Sequence, residues 1–244
     1  MNMWRFLDSG PASAAANMAK DEELLREAGK AGALPVLRFY TWSPPAVSLG
    51  RFQDAERSVN TEACRRKGID VIRRITGGRA VLHKDELTYS VISPVNTGLF
   101  PNDVLGTYKV IAAGLLAGLR GLGIAAEMVT RPAPHAGTAK GVPHDAACFS
   151  SPSWYEIVAG GRKIVGSAQR RVGGAFLQHG SIMISYDPAL EAELIPGGGL
   201  PSAVTCITRE LGKDVPLDRI KRALQMGFSE ALNITFCQAR PNEN

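Results

Sequence analysis

The clearest periodic signal lies late in the chain, where Leu217, Ile220, Leu224, Phe228 and Leu232 recur at helical spacing after Asp214-Val-Pro216. That stripe predicts an amphipathic helix with one face in the core. Residues 102–122 are the most helical stretch, stopped by Gly123; their apolar run from Val110 to Leu119 is too short to span a bilayer and reads as buried. A third helix is predicted over 12–28, closed by Gly29, and Asn60 caps a fourth that runs to Lys67 and ends at Gly68. Strand patterns fall at 4–7, 36–42, 69–74, 86–93 and 125–129. Ser9-Gly-Pro11 reads as a turn into the first helix, and Ser43-Pro44-Pro45 breaks the second strand. Runs at 154–158, 163–169 and 175–185, separated by Gly160-Gly161 and Gly173-Gly174, read as an antiparallel meander. Between them and the strand at 125–129, residues 131–146 are rich in Pro, Gly, Ala and His and predict an irregular loop. Hairpin signals outnumber strict strand–helix alternation, and no repeat or linker interrupts the chain. The pattern predicts an α+β fold: residues 1–244 as a single domain with a mixed or antiparallel sheet flanked by helices.

Composition narrows the class without changing that picture. The 244 residues are 45% hydrophobic and 21% charged, as in ordinary soluble globular proteins. The first residues lack the apolar run of a signal peptide and carry Arg5 and Asp8, so a cytoplasmic protein without membrane association is expected. Cys64, Cys148, Cys206 and Cys237 are widely spaced and form no Cys-x-x-Cys pair, which argues against a zinc site and a disulfide framework. A net charge of +5 comes without a long basic run or a nucleic-acid-binding motif. Attraction to an acidic protein partner is the better reading, and no nucleic acid is expected.

Three segments carry candidate chemistry. In Arg73-Arg-Ile-Thr-Gly-Gly-Arg-Ala-Val-Leu-His83, followed by Glu86-Leu-Thr-Tyr-Ser90, adjacent glycines let the backbone approach a ligand closely. Alone, Thr-Gly-Gly is a hairpin turn; two arginines before it, and His83 at the start of the next strand, make it a candidate site. The second segment, Ala147-Cys148-Phe-Ser-Ser-Pro-Ser-Trp-Tyr-Glu156, sets a cysteine after a loop and before a strand, where a side chain faces a cleft. A free cysteine is more often a small buried hydrophobe, and Cys64, Cys206 and Cys237 keep that reading. The third, Gly161-Arg-Lys163-Ile-Val-Gly-Ser-Ala-Gln169 with Gln178-His179-Gly-Ser181, places Lys163 on a strand face shared with Val165 and Ser167. An ammonium near Cys148 would favour its thiolate and make it a nucleophile.

Together these segments resemble the superfamily of lipoate-protein ligases, octanoyltransferases and biotin ligases, over residues 4–207. The motifs Arg-Arg-x-Thr-Gly-Gly-Arg-Ala-Val-x-His and Gly-Arg-Lys-Ile-x-Gly-Ser-Ala-Gln are specific in combination and weak singly. The resemblance implies a biotin/lipoate protein ligase-like catalytic domain. Its acyl pocket would involve Arg74, Gly77, Gly78, Val81, His83, Gly166, Ser167, Ala168 and His179, with Lys163 near the acyl carbonyl. ATP-dependent ligases of the superfamily show a third glycine where this chain has Arg79, and an Arg-Asn-Asp-type segment where it has Ala147-Cys148-Phe149. Many carry a C-terminal accessory domain, for which there is no length here, and the Gly-Arg-Gly-Arg loop of biotin ligases is missing. Cys-Phe-x-x-Pro-Ser-Trp-Tyr-Glu is similar to the cysteine-dependent octanoyltransferases of the ligase-like type.

What that branch implies is an acyltransferase with Cys148 and Lys163 as its catalytic residues. Octanoyl-acyl carrier protein is the implied donor. A lysine of a lipoyl-domain protein such as the glycine cleavage H protein is the implied acceptor. Thioester-to-amide exchange is downhill, so no nucleotide, cofactor or metal is expected. Rival readings are an amidotransferase moving octanoyl from H protein to dehydrogenase subunits, an ATP-dependent lipoate ligase, and a non-catalytic subunit that binds lipoyl domains.

Overall fold

The computed structural model describes residues 2–129 and 156–238. Its strands are β1 (Asn2–Ala12), β2 (Val36–Trp42), β3 (Ala46–Leu49), β4 (Asp70–Arg73), β5 (Val81–His83), β6 (Glu86–Pro94), β7 (Ala126–Met128), β8 (Ile157–Ala159), β9 (Arg162–Val172), β10 (Ala175–Met183) and β11 (Ile234–Gln238). The helices are α1 (Ala14–Ala28), α2 (Ala55–Ser58), α3 (Thr61–Arg66), α4 (Val104–Gly121), α5 (Pro188–Leu194), α6 (Ile207–Leu211) and α7 (Leu217–Leu232). Among the described residues the strands form a large sheet in the order β11-β1-β2-β6-β10-β9-β8-β7 and a small one in the order β4-β3-β5. The large sheet is mixed: β1 runs parallel to β2 and β11, and the pairs from β2 through β7 are antiparallel. The β8–β9–β10 meander has the predicted connectivity.

Why β6 and β10 lack clean alternation in sequence is evident from their burial: both faces of each are covered. On one face Leu37, Phe39, Leu87, Tyr89, Val91, Phe176 and Ile182 pack with α4 and α7, whose own buried stripes supply Ile111, Leu115, Leu119, Ile220, Leu224 and Phe228. This is the main core. The opposite face receives α1, which contributes Leu24, Leu25 and Ala28 at one end of the sheet. At the other end that face is buried but polar, and the small sheet covers it.

Local chemistry explains the helix boundaries. Ser13, Asn60 and Asp103 cap α1, α3 and α4 by accepting from the backbone N–H groups of Ala16, Ala63 and Gly106. Two predicted features are corrected. Ser9-Gly-Pro11 is not a turn: β1 continues to Ala12, with an irregular register between Asp8 and Pro11 and Gly10 at φ 63°. His83 does not begin the strand at Glu86. It ends the separate strand β5, paired with β3.

Candidate functional site

Cross-strand register builds the site's floor. Arg38 faces Ser90, Ser90 faces His179, and His179 faces Ala168; in the next row Tyr40, Thr88, Ser181 and Gly166 are neighbours in the same way. Above this floor lie Ser48 of β3 with Val81 and His83 of β5. Between the two sheets is a narrow cavity that opens to solvent. Arg74, Val81, His83, Gly166, Ser167, Ala168 and His179 line it, joined by Met18, Tyr40, Trp42, Ser48, Thr88, Gly180 and Ser181. Seven of the residues expected from sequence therefore meet around one space.

Gly77, Gly78 and Lys163 are not among the described lining residues. The glycines form the loop behind Arg74, whose guanidinium donates to Gly77 O at 2.8 Å, Arg79 O at 2.7 Å and Ser48 O at 2.9 Å. Gly78, at φ 89°, takes a conformation open chiefly to glycine. Its carbonyl presses on Gly50, where a Cβ would sit 1.9 Å from that oxygen. A second clamp holds the adjoining loop: Arg73 donates to the carbonyls of Gly50, Arg51 and Gln53.

Lys163 corrects the expected strand face. Val158 pairs with Lys163 but Ile157 pairs with Val165, so Ile164 is an extra residue on β9. Ile164 and Val165 consequently both enter the main core, and Lys163 turns away from Val165 and Ser167. Its ammonium is fully buried and lies 2.5 Å from Glu156 Oε1. Its backbone is held by Ala203 and Thr205, through Lys163 N–H to Ala203 O at 2.9 Å and Thr205 N–H to Lys163 O at 3.0 Å. Cys148 lies outside the described residues.

The floor and roof carry buried polar side chains. His83 Nε2 is 2.8 Å from Ser48 Oγ, and its ring stacks on Trp42 with centroids 4.0 Å apart. Ser48 Oγ also accepts from Arg74 Nη1 at 3.0 Å, and on the other side of the ring His83 Nδ1 is 3.5 Å from Glu86 Oε1. Burial lowers the pKa of His83, with the Arg74 and His179 charges acting the same way and Glu86 opposing. The ring is therefore neutral near pH 7. Glu86 accepts from Thr88 Oγ1 at 2.7 Å and Ser181 Oγ at 2.5 Å. Tyr89, donor or acceptor to Ser167 Oγ at 2.7 Å, has its phenol pushed up to about 12 by burial.

Sequence reading passed over one heavily bonded group beside the cavity. Asp21 of α1 accepts from Arg38 Nη1 at 2.7 Å, Tyr40 OH at 3.0 Å and Ser90 Oγ at 2.9 Å, and sits 2.9 Å from His179 Nδ1. Burial alone would raise its pKa; the hydrogen bond and charge of His179 and the charge of Arg38 outweigh it and hold the carboxyl below its ordinary range. The available signal was Arg38 inside the apolar run Val36-Leu-Arg-Phe-Tyr40, since an arginine there needs a buried acid. Asn17 and Asp21 lie four apart on α1 and are both buried, which nothing in that helix's own sequence marks. Among the described residues no group of His, Cys, Asp and Glu is arranged to hold a metal, and no helix is long and apolar enough to cross a membrane.

Comparison with known proteins places this geometry. The profile of the lipoyl protein ligase A/B catalytic domain matches residues 13–229. Octanoyltransferase LipM of Kyrpidia tusciae is 43% identical over 95% of this chain and 88% of its own length; the Bacillus subtilis LipM is 39% identical over 95% and 87%. Lipoate-protein ligase A solved with ATP superposes with a TM-score of 0.79 at 28% identity, covering all of this chain and 91% of the other. A Thermoplasma acidophilum protein solved with bound lipoic acid gives 0.78 at 28% identity, again over the whole chain and 91% of its own. The chain belongs to the lipoyl protein ligase A/B catalytic domain family and, within it, is an enzyme of the octanoyltransferase type.

Proposed function

We propose that residues 1–244 act as one catalytic domain that moves an octanoyl group from acyl carrier protein, through a thioester on Cys148, to a lysine of a lipoyl-domain protein. The glycine cleavage H protein is the proposed acceptor and the cytoplasm the proposed compartment. The observation that carries this reading is the similarity to octanoyltransferases along nearly the whole chain, together with a cavity whose walls include Val81, Met18 and Trp42. An octanoyl chain gains about 0.8 kcal/mol for each CH₂ it buries there.

In the first step the Cys148 thiolate attacks the donor's thioester carbonyl carbon; a new C–S bond forms, and the donor's thiolate leaves and takes a proton. In the second, the acceptor lysine amine attacks the Cys148 thioester, the C–S bond breaks, and the amine loses a proton as the amide forms. Lys163, a buried ammonium paired with Glu156, is the proposed proton donor and acceptor or the group that polarises the carbonyl. Arg74, Gly77 and Gly78 shape the loop over the acyl chain. Val81, His83, Gly166, Ser167, Ala168 and His179 contact it.

Intact-mass spectrometry tests the mechanism. Mixing the enzyme with octanoyl-acyl carrier protein, without ATP, should add one octanoyl mass that hydroxylamine removes. Cys148→Ser should not accumulate this thioester and should lose transfer, while Cys64→Ser, Cys206→Ser and Cys237→Ser should retain it. Wild-type transfer by Cys148→Ser, or strict dependence on ATP, would return the ligase reading.

A further inference from the structure

A chain of three buried side chains joins parts of the protein that are distant in sequence. Asp21 Oδ2 is 2.9 Å from His179 Nδ1, and His179 Nε2 is 2.7 Å from Thr76 Oγ1. Asp21 comes from α1, His179 from the middle of β10, and Thr76 from the loop just ahead of Gly77 and Gly78. All three are buried, Asp21 and Thr76 to 1% exposure and His179 to 6%.

The hydrogen positions along this chain follow from donor and acceptor capacity. Arg38, Tyr40 and Ser90 all donate to the Asp21 carboxylate, and Arg38 is its buried counter-charge. An ionised carboxylate accepts only, so His179 Nδ1 must carry the hydrogen between them. When the ring is neutral Nε2 is then an acceptor and the Thr76 hydroxyl donates to it; when the ring is charged Nε2–H donates and Thr76 accepts. Thr76 is thereby fixed at its side chain, while its carbonyl accepts from Arg51 N–H at 2.8 Å. Arg74 grips the same loop from the other side, through Gly77 O and Arg79 O. The loop is thus pinned at both ends, by a guanidinium from the β4 end and by an imidazole from the large sheet.

We propose that Asp21 and Thr76 are positioning residues: Asp21 fixes the tautomer of His179, and through the Thr76 hydroxyl His179 holds the Thr-Gly-Gly loop in the shape that receives the octanoyl chain. This rests on the proposed octanoyl transfer for its substrate, and on side-chain geometry alone for its tautomer. A ring held with Nδ1–H toward Asp21 offers Thr76 a lone pair of fixed direction. Reversing the tautomer would oblige the Thr76 hydroxyl to accept and so to reorient its hydrogen. Neither Asp21 nor Thr76 borders the cavity: Thr76 reaches the substrate through the loop, and Asp21 through His179 and also through Tyr40, which does border it.

The test has two arms. In enzyme labelled with ¹⁵N-histidine, imidazole ¹H–¹⁵N correlation should show His179 protonated at Nδ1 and bare at Nε2 when neutral, and Asp21→Asn should move the proton to Nε2. In transfer assays Thr76→Val, close in shape but without the hydroxyl, should raise KM for octanoyl-acyl carrier protein about fivefold while kcat stays within about twofold, as expected for one lost hydrogen bond. Thr76→Ser should restore the wild-type KM. Combining Thr76→Val with Asp21→Asn should raise KM no further than the larger single effect, because Thr76 lies on the path by which Asp21 acts on the loop. Asp21→Asn also disturbs the buried Arg38 pair and could fail to fold; the Thr76 pair, being uncharged, decides the matter without it. A neutral wild-type ring protonated at Nε2, an unchanged KM in Thr76→Val, or a KM raised equally in Thr76→Ser would each overturn the proposal. If the wild-type enzyme shows no octanoyl transfer, the proposed function falls and the NMR arm decides the positioning chain by itself.

Discussion

His83 and Asp21 are both buried at the site, both have lowered pKa values, and both tie folding to pH in separate windows. The folded His83 ring resists protonation, while in the unfolded chain it titrates near the ordinary value of about 6.5. As pH falls below that value the unfolded state gains a proton that the folded state refuses, so stability decreases until the folded pKa is passed. Asp21 acts lower: its contribution is present above the unfolded value of about 3.9 and is lost as pH falls through its depressed folded value. Melting temperature followed from pH 7 to pH 5 should therefore drop more steeply for wild type than for His83→Gln. Equal slopes would mean that His83 does not titrate against folding. These two residues also show what sequence can carry. His83 stands in a motif with glycines and arginines and could be picked out by its surroundings. Asp21 could not, because its importance comes from β2 and β10, which bring Arg38, Tyr40 and His179 onto it from far along the chain.

Elements with a strong local period or a clear cap were legible: α4, α7, α3 with Asn60, and the β8–β9–β10 meander all follow from spacing and turn residues. Short elements were not. β3 and β5 have four and three residues, too few to display a period, and they exist because they pair with each other and roof the cavity. The extra residue at Ile164 was equally hidden, since a bulge depends on its partner strand and not on the strand's own sequence. It decides which face Lys163 occupies, so a strictly alternating reading gave the wrong side. The glycine loop, legible as a motif, separates into two roles only in three dimensions. A Cβ on Gly77 meets nothing within 4 Å, whereas Gly78 combines φ of +89° with Arg74 Nη2 only 2.9 Å from where its Cβ would lie. Gly77→Ala should leave thermal stability near wild type, and Gly78→Ala should cost about 1–2 kcal/mol from the left-handed backbone alone. Chemical denaturation of the two variants checks this; equal losses would mean that Gly78 is not strained.

At the scale of the whole molecule, charge and fold act on different parts of the function. The core that positions the cavity is built from the α4 and α7 stripes against the large sheet, and two buried charged pairs lie outside the cavity lining: Asp21 with Arg38, and Lys163 with Glu156. The net charge of +5 is therefore expressed mainly at the surface, where it can influence a protein substrate but contributes little inside the pocket. Proposed donors and acceptors of acidic character would be steered toward such a surface, and steering enters through the association rate. The Debye length shrinks from about 30 Å at 0.01 M ionic strength to about 8 Å at 0.15 M, so long-range attraction should fade across that range. Association of the enzyme with octanoyl-acyl carrier protein, followed by stopped-flow mixing, should slow steadily as salt rises. The dissociation rate should change less, because short-range contacts hold the complex once it has formed. Transfer from a small uncharged donor such as octanoyl-N-acetylcysteamine should be nearly indifferent to salt over the same interval, since it enters the same cavity without feeling the surface field. Flat association kinetics with the protein donor would remove charge steering while leaving the acyl chemistry untouched. Equal salt dependence for both donors would instead place the sensitivity in the site itself.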